Sequence, residues 1–219
     1  DLIALFIFFE ALLIPMYFLI SIWGSGKAQY SAMKFLIFTL TSGAFFLIGI
    51  LSVYFATGTF VMYDITELNL IGVASSTFNI LIPSVLIFLI FFIGFAIKLP
   101  LFPLHSWLPD AHTDAPTAVS IMLAGVLLKM GGYGLLRINV DLFNSIDPSI
   151  LFDLSPYIAL IGAVSVIYGA VLTIRQTDLK RLIAFSSVSH MGYIILGLSS
   201  YNAYSLSLIH ISEPTRRLR

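Results

Sequence analysis

Glu10, Lys98 and Lys129 carry charge in stretches that are otherwise almost wholly apolar. Glu10 lies in the run 1–23, thirteen positions before Trp23, roughly 20 Å from that end of a helix. Lys98 closes an apolar run of seventeen residues and is followed at once by Pro100 and Pro103. Lys129 falls near the middle of a further run, 116–139. An ionisable group at the centre of a bilayer costs about 2.5–3.5 kcal/mol on insertion scales. Three such groups point to proton transfer. Lysine in water holds its proton too firmly to pass it on at neutral pH; burial loosens that hold and a nearby carboxylate restores it. A buried lysine beside a carboxylate that can move is therefore a latch, and a second lysine is a place for the released proton to go.

Each residue also has a plainer reading. Glu10 fits a neutral acid hydrogen-bonded to a neighbouring helix, Lys98 a side chain that snorkels from a helix end, and Lys129 a structural ion pair. The backbone favours the functional readings. Pro15 removes the hydrogen bond to the carbonyl of Ala11, next to Glu10. Pro100 and Pro103 predict a broken helix at Lys98, tolerated at membrane depth only where it is buried or lines a wet cavity. Gly125 and Gly132 share the helix face of Lys129, where small residues permit close approach, admit water or simply pack. His190 lies beside Ser186, Ser187 and Tyr193 at helical spacing; it fits both a satisfied structural histidine and a proton-relay step. His105 and His112, with Asp110 and Asp114 nearby, match no standard metal spacing, and no metal site is assigned.

The elements that must hold these residues follow from composition. Of 219 residues, 59% are hydrophobic and 10% charged, against roughly 25% charged in a soluble domain. Mean hydropathy is +1.01. These values exclude a soluble enzyme, and a formal charge of zero excludes a nucleic-acid binder. The absence of cysteine removes disulfides, thiolate zinc sites, cysteine-ligated clusters and c-type haem from this stretch. Six segments reach the length of a membrane span: about 1–23, 34–55, 80–98 with a proline-rich continuation to 112, 116–139, 156–174 and 182–201. The expectation is an all-α, polytopic transmembrane helix bundle. Lys27, Lys34, Arg175, Lys180 and Arg181 fall on one side and Arg137 on the other, which makes the Gly24 and Asp178 loops the cytoplasmic-type face. The chain opens at Asp1 inside an apolar run and closes on a polar basic tail; it reads as an internal piece of something longer, with 1–201 as the six-helix portion and 202–219 as a poorly matching, foreign-looking tail.

The stretch Phe95-Ala96-Ile97-Lys98-Leu99-Pro100-Leu101-Phe102-Pro103-Leu104-His105-Ser106-Trp107-Leu108-Pro109-Asp110-Ala111-His112, with Ala115-Pro116-Thr117-Ala118 and Leu123-Ala124-Gly125-Val126-Leu127-Leu128-Lys129, resembles the antiporter-like membrane subunits of respiratory complex I. Glu10 to Ile20 and Asp178 to Gly192 resemble two further helices of that family, and the likeness runs from about Asp1 to Ser200. The resemblance implies an antiporter-like inverted-repeat fold, with the spans here as its fifth to tenth helices and Lys98 at a true helix break. It implies that Glu10 and Lys98 form the regulating pair and that Lys129 and His190 continue the proton path. The family's exit residue, on a later helix, is missing here.

On this reading the chain is a proton-translocating, non-redox subunit of an NADH–quinone oxidoreductase. It would hold no cofactor itself; NADH, FMN, iron–sulfur clusters and quinone would belong to partner subunits. Its partners would be the other membrane and peripheral subunits and the lipid bilayer, with no nucleic acid. Its place would be an energy-transducing membrane, whether bacterial plasma membrane, mitochondrial inner membrane or thylakoid. The competing functions are the equivalent subunit of the photosynthetic plastoquinone oxidoreductase, a cation/proton antiporter subunit without redox coupling, and an inert scaffold.

Overall fold

Prolines and glycines divide the apolar runs into helices. In the computed structural model, which describes residues 1–70, 83–146 and 148–200, helix α1 covers Leu2–Trp23. The Asp1 carboxylate caps it, accepting from the Ile3 amide at 2.9 Å. The regular helix is interrupted at Leu12, within one turn of Pro15, where the missing amide was expected to disturb it. After a turn through Gly24 and Gly26, α2 runs over Ala28–Thr57 and stops at Gly58, whose φ of 75° is the left-handed conformation that ends a helix without penalty only in glycine.

A short helix, α3 (Met62–Leu70), follows. Helix α4, Ser84–Lys98, begins after Pro83 and ends two residues before Pro100. Its 15 residues extend only about 22 Å, short of a hydrocarbon layer about 30 Å thick. Residues 99–106 form irregular turns that include a cis Phe102–Pro103 bond, and α5, Trp107–Asp114, resumes the helix. The third expected span is thus two half-helices around a break. Helix α6 fills Thr117–Ile146, α7 Pro148–Ile174 and α8 Leu179–Ser199. Among the described residues five helices are long and apolar enough to cross a membrane, and α4 is a shorter apolar helix. No strand occurs among the described residues.

One correction to the sequence reading concerns extent. Helices α2, α6 and α7 begin or end several residues beyond the apolar windows, because polar ends such as Gln29 and Asp153 continue a helix that hydropathy alone would stop. The expected boundary of a tail at 202 lies outside the described residues.

Helix α2 is the central element, packed against α1, α4 and α5, while α6 lies along α4. The antiparallel pair α7–α8 joins through α5. Between α1, α2 and α4 the core is phenylalanine: Phe9, Phe46, Phe91 and Phe95 meet edge-on or tilted, with centroids 4.9–5.9 Å apart at Phe9–Phe46, Phe9–Phe95, Phe46–Phe91 and Phe46–Phe95. These rings form a dry wall beside Lys98.

Candidate functional site

The end of α4 delivers Lys98 into the interior of the bundle. Its side chain is 1% exposed, with Leu99 and Leu101 buried around the break, which overturns the snorkelling reading. Three contacts surround the ammonium. Nζ donates to Glu10 Oε1 at 3.2 Å and to the carbonyl of Phe9 at 3.2 Å, and it lies 3.4 Å from the centroid of the Phe9 ring. An ammonium has three N–H donors, so two carbonyl-type oxygens and one aromatic face satisfy it. The C-terminal end of α4 adds the negative pole of the helix. The Glu10 side chain is 19% exposed, so the carboxylate is the more accessible member of the pair.

The break that places Lys98 is pinned from two sides. The Trp107 indole Nε1 donates to the carbonyl of Ile97 at 2.9 Å, taking an oxygen the ended helix leaves without an amide partner. The Phe102 amide donates to the hydroxyl of Ser165 at 3.1 Å, which fastens the break to α7. Sequence reasoning singled out neither residue. Trp107 lies inside the motif that carries the resemblance, but its partner is set by the break. Ser165 is a lone hydroxyl in an apolar span, a weak signal.

Lys129 lies on α6, on a face that the rest of this stretch of chain leaves exposed. The helix around it is unusual: wider π turns occupy Leu123–Leu127 and Leu135–Leu142, with Lys129 in the α-helical piece between them. Such turns recur at functional sites and carry no obvious sequence mark. Of the two glycines expected on its face, Gly132 packs against Leu99 of the break, while a side chain at Gly125 would meet nothing within 4 Å. Gly131 also meets Leu99, so α6 rests on the residue that follows Lys98.

His190 lies half-buried on α8. Of the polar stripe beside it, Ser187 donates within its own helix to Ile183; Ser189, which was not part of that stripe, reaches α7, donating to the Val166 carbonyl at 3.1 Å. The structure thus joins Glu10 to Lys98 directly, and holds Lys129 and His190 on two further helices.

His105 and His112 do not form a joint site with the aspartates. His105 packs its ring 4.9 Å from that of Tyr168, and Nδ1 of His105 and Nε2 of His112 find no hydrogen-bond partner among the described residues. Asp110 instead bridges Lys34 at 2.7 Å and Arg181 at 3.2 Å, and Asp114 accepts from the Ser31 hydroxyl. Lys180 Nζ donates to the carbonyls of Ala115 at 2.9 Å and Thr113 at 3.4 Å, at the carboxyl end of α5. Three of the basic residues expected on one side of the membrane, Lys34, Lys180 and Arg181, thereby hold the half-helix α5.

The family model described as NADH:quinone oxidoreductase/Mrp antiporter, TM, matches residues 1–212. The chain is similar to NAD(P)H-quinone oxidoreductase chain 4 1 of Synechococcus sp. (strain JA-3-3Ab), 40% identical over 94% of this chain and 37% of that protein. It is similar to NADH-quinone oxidoreductase subunit M of Rickettsia felis, 38% identical over 94% of this chain and 40% of that protein. Among solved structures it resembles a chain of respiratory complex I from Thermus thermophilus with bound NADH, with a TM-score of 0.73 and 26% identity over 97% of this chain and 46% of that one. The chain spans less than half the length of these relatives.

Proposed function

The chain belongs to the NADH:quinone oxidoreductase/Mrp antiporter membrane family, and from that premise we propose that it is part of a proton-translocating membrane subunit of an NADH- or NAD(P)H–quinone oxidoreductase. The observation that carries the proposal is the Glu10–Lys98 pair, an ammonium 1% exposed at a helix break and 3.2 Å from a carboxylate on another helix. Holding such a pair in oily surroundings is costly, and packed apolar residues would stabilise the bundle at least as well. Its value lies in being able to open. With the carboxylate in place the ammonium is fully satisfied; when the carboxylate withdraws, one of its three contacts is lost and the proton can pass on towards Lys129 on α6. His190 on α8 continues the route, its imidazole accepting and donating in turn.

In this role the chain performs no redox step. Electrons from the nicotinamide would reach quinone in partner subunits, which would hold the flavin and clusters, and this chain would contact those partners and lipid. The test uses the full-length protein in its assembled complex, with protons moved per electron measured in sealed vesicles. Glu10→Gln, Lys98→Ala and Lys129→Ala are each expected to lower that ratio while leaving the complex assembled. Unchanged stoichiometry in all three would sink the proposal.

A further inference from the structure

Helix α2 meets α1 and α4 beside the ion pair. The buried Ser42 hydroxyl donates to the carbonyl of Gly94, one turn before Lys98, at 2.6 Å, which holds the two helices together at this level. The next residue, Gly43, faces Glu10. A methyl group built on its Cα would lie 2.6 Å from the Glu10 carboxyl carbon and Oε1 and 2.7 Å from Oε2. All three atoms belong to the carboxylate, and no backbone atom is among these nearest neighbours. The carboxylate therefore rests on bare helix backbone, in a space any side chain would fill.

From this we infer that Gly43 is a positioning residue: it provides the seat in which the Glu10 carboxylate reaches Lys98. The inference rests on the functional reading of that pair, though not on its direction or coupling. Its logic is steric. A small side chain at position 43 would collide with the far end of a flexible side chain, so the least costly relief is for the carboxylate to swing away. Backbone and helix packing stay as they are, because Ser42–Gly94 and the phenylalanine wall are untouched. A substitution at Gly43 should therefore act on Glu10 rather than on the fold, and shortening Glu10 by one methylene should cancel it.

The experiment is a double-mutant cycle in the full-length protein within its complex, reading protons moved per electron. Gly43→Ala is expected to lower the ratio severalfold, towards that of Glu10→Gln. In the Glu10→Asp background, adding Gly43→Ala is expected to change nothing further, since the shorter carboxylate has left the seat. Equal loss in both backgrounds, or no loss in either, would overturn the inference. Should Glu10→Gln itself leave translocation intact, the functional reading fails while the seat is still read from the carboxyl infrared band that Glu10→Gln removes. A shift of that band in Gly43→Ala supports the seat, and an unmoved band rejects it. If Gly43→Ala does not assemble, recovery of assembly in Gly43→Ala/Glu10→Asp supports the inference, and failure to recover counts against it.

Discussion

The indole of Trp107, the first residue of the second half-helix, donates to the carbonyl of Ile97, the residue before Lys98, at 2.9 Å. One side chain thus closes the gap that Pro100 and Pro103 open, and the position of Lys98 depends on it. Trp107 is fully buried and packs against Phe35, with ring centroids 5.6 Å apart. Trp107→Phe keeps most of the apolar contact and removes the donor. It should cost about 1–3 kcal/mol, the penalty for leaving a buried carbonyl without a partner. The measurement is thermal unfolding in detergent, together with protons moved per electron; an unchanged melting temperature would contradict the pin.

Ser165 and Ser187 are both hydroxyls in apolar helices, and they should behave differently. Ser165 accepts from the Phe102 amide across helices, and Ser187 donates only to Ile183 in its own helix. Ser165→Ala should lose roughly 0.6 kcal/mol, the average for an interhelical hydrogen bond in a membrane protein, and no more than about 1.7 kcal/mol. Ser187→Ala should lie within about 0.5 kcal/mol of the parent. Denaturant titration of the two variants side by side checks the difference, and equal effects would refute it.

Gly169 and Gly125 make a second pair. A Cβ at Gly169 would lie 2.7 Å from the Ser189 amide nitrogen and 3.0 Å from its Cα, backbone of a neighbouring helix that cannot yield locally. Gly169→Ala should force α7 and α8 apart and cost about 1–3 kcal/mol. Gly125 has open space around it, so Gly125→Ala should be neutral or stabilising by up to about 1 kcal/mol from helix propensity. Melting temperatures of the two variants are expected to move in opposite directions or by clearly different amounts.

The Lys34–Asp110–Arg181 group lies near the surface, with side chains 21%, 22% and 48% exposed. Ion pairs so placed contribute about 0–1 kcal/mol each and are screened by salt. Asp110→Asn should lower stability at low ionic strength by no more than about 2 kcal/mol, with the difference shrinking towards zero near 1 M salt. A loss that persists at high salt would mean that Asp110 acts through packing or hydrogen bonding instead of charge.

Much of the molecule is legible in its residues because membrane helices obey local rules. Apolar length marks the spans, Pro15 marks the interruption at Leu12, and Pro100 and Pro103 mark the break after Lys98. Charge in an apolar run marks Glu10, Lys98 and Lys129 regardless of partners, because desolvation is a property of the residue and its neighbours in the chain. The basic loops likewise announce one face of the bundle. The partners are another matter. That Glu10 and not some other acid meets Lys98, that the Phe9 carbonyl and ring complete its shell, and that Gly43 leaves room for the carboxylate depend on how three separate helices cross. The same holds for Ser165, for the two π turns around Lys129, and for Asp110, which joins α2 to α8 instead of joining histidines. Crossing geometry is decided by side-chain volumes summed over every interface at once, and no single segment contains that sum. The chain's order therefore determined which groups had to be satisfied in the interior, and the tertiary structure alone decided by whom.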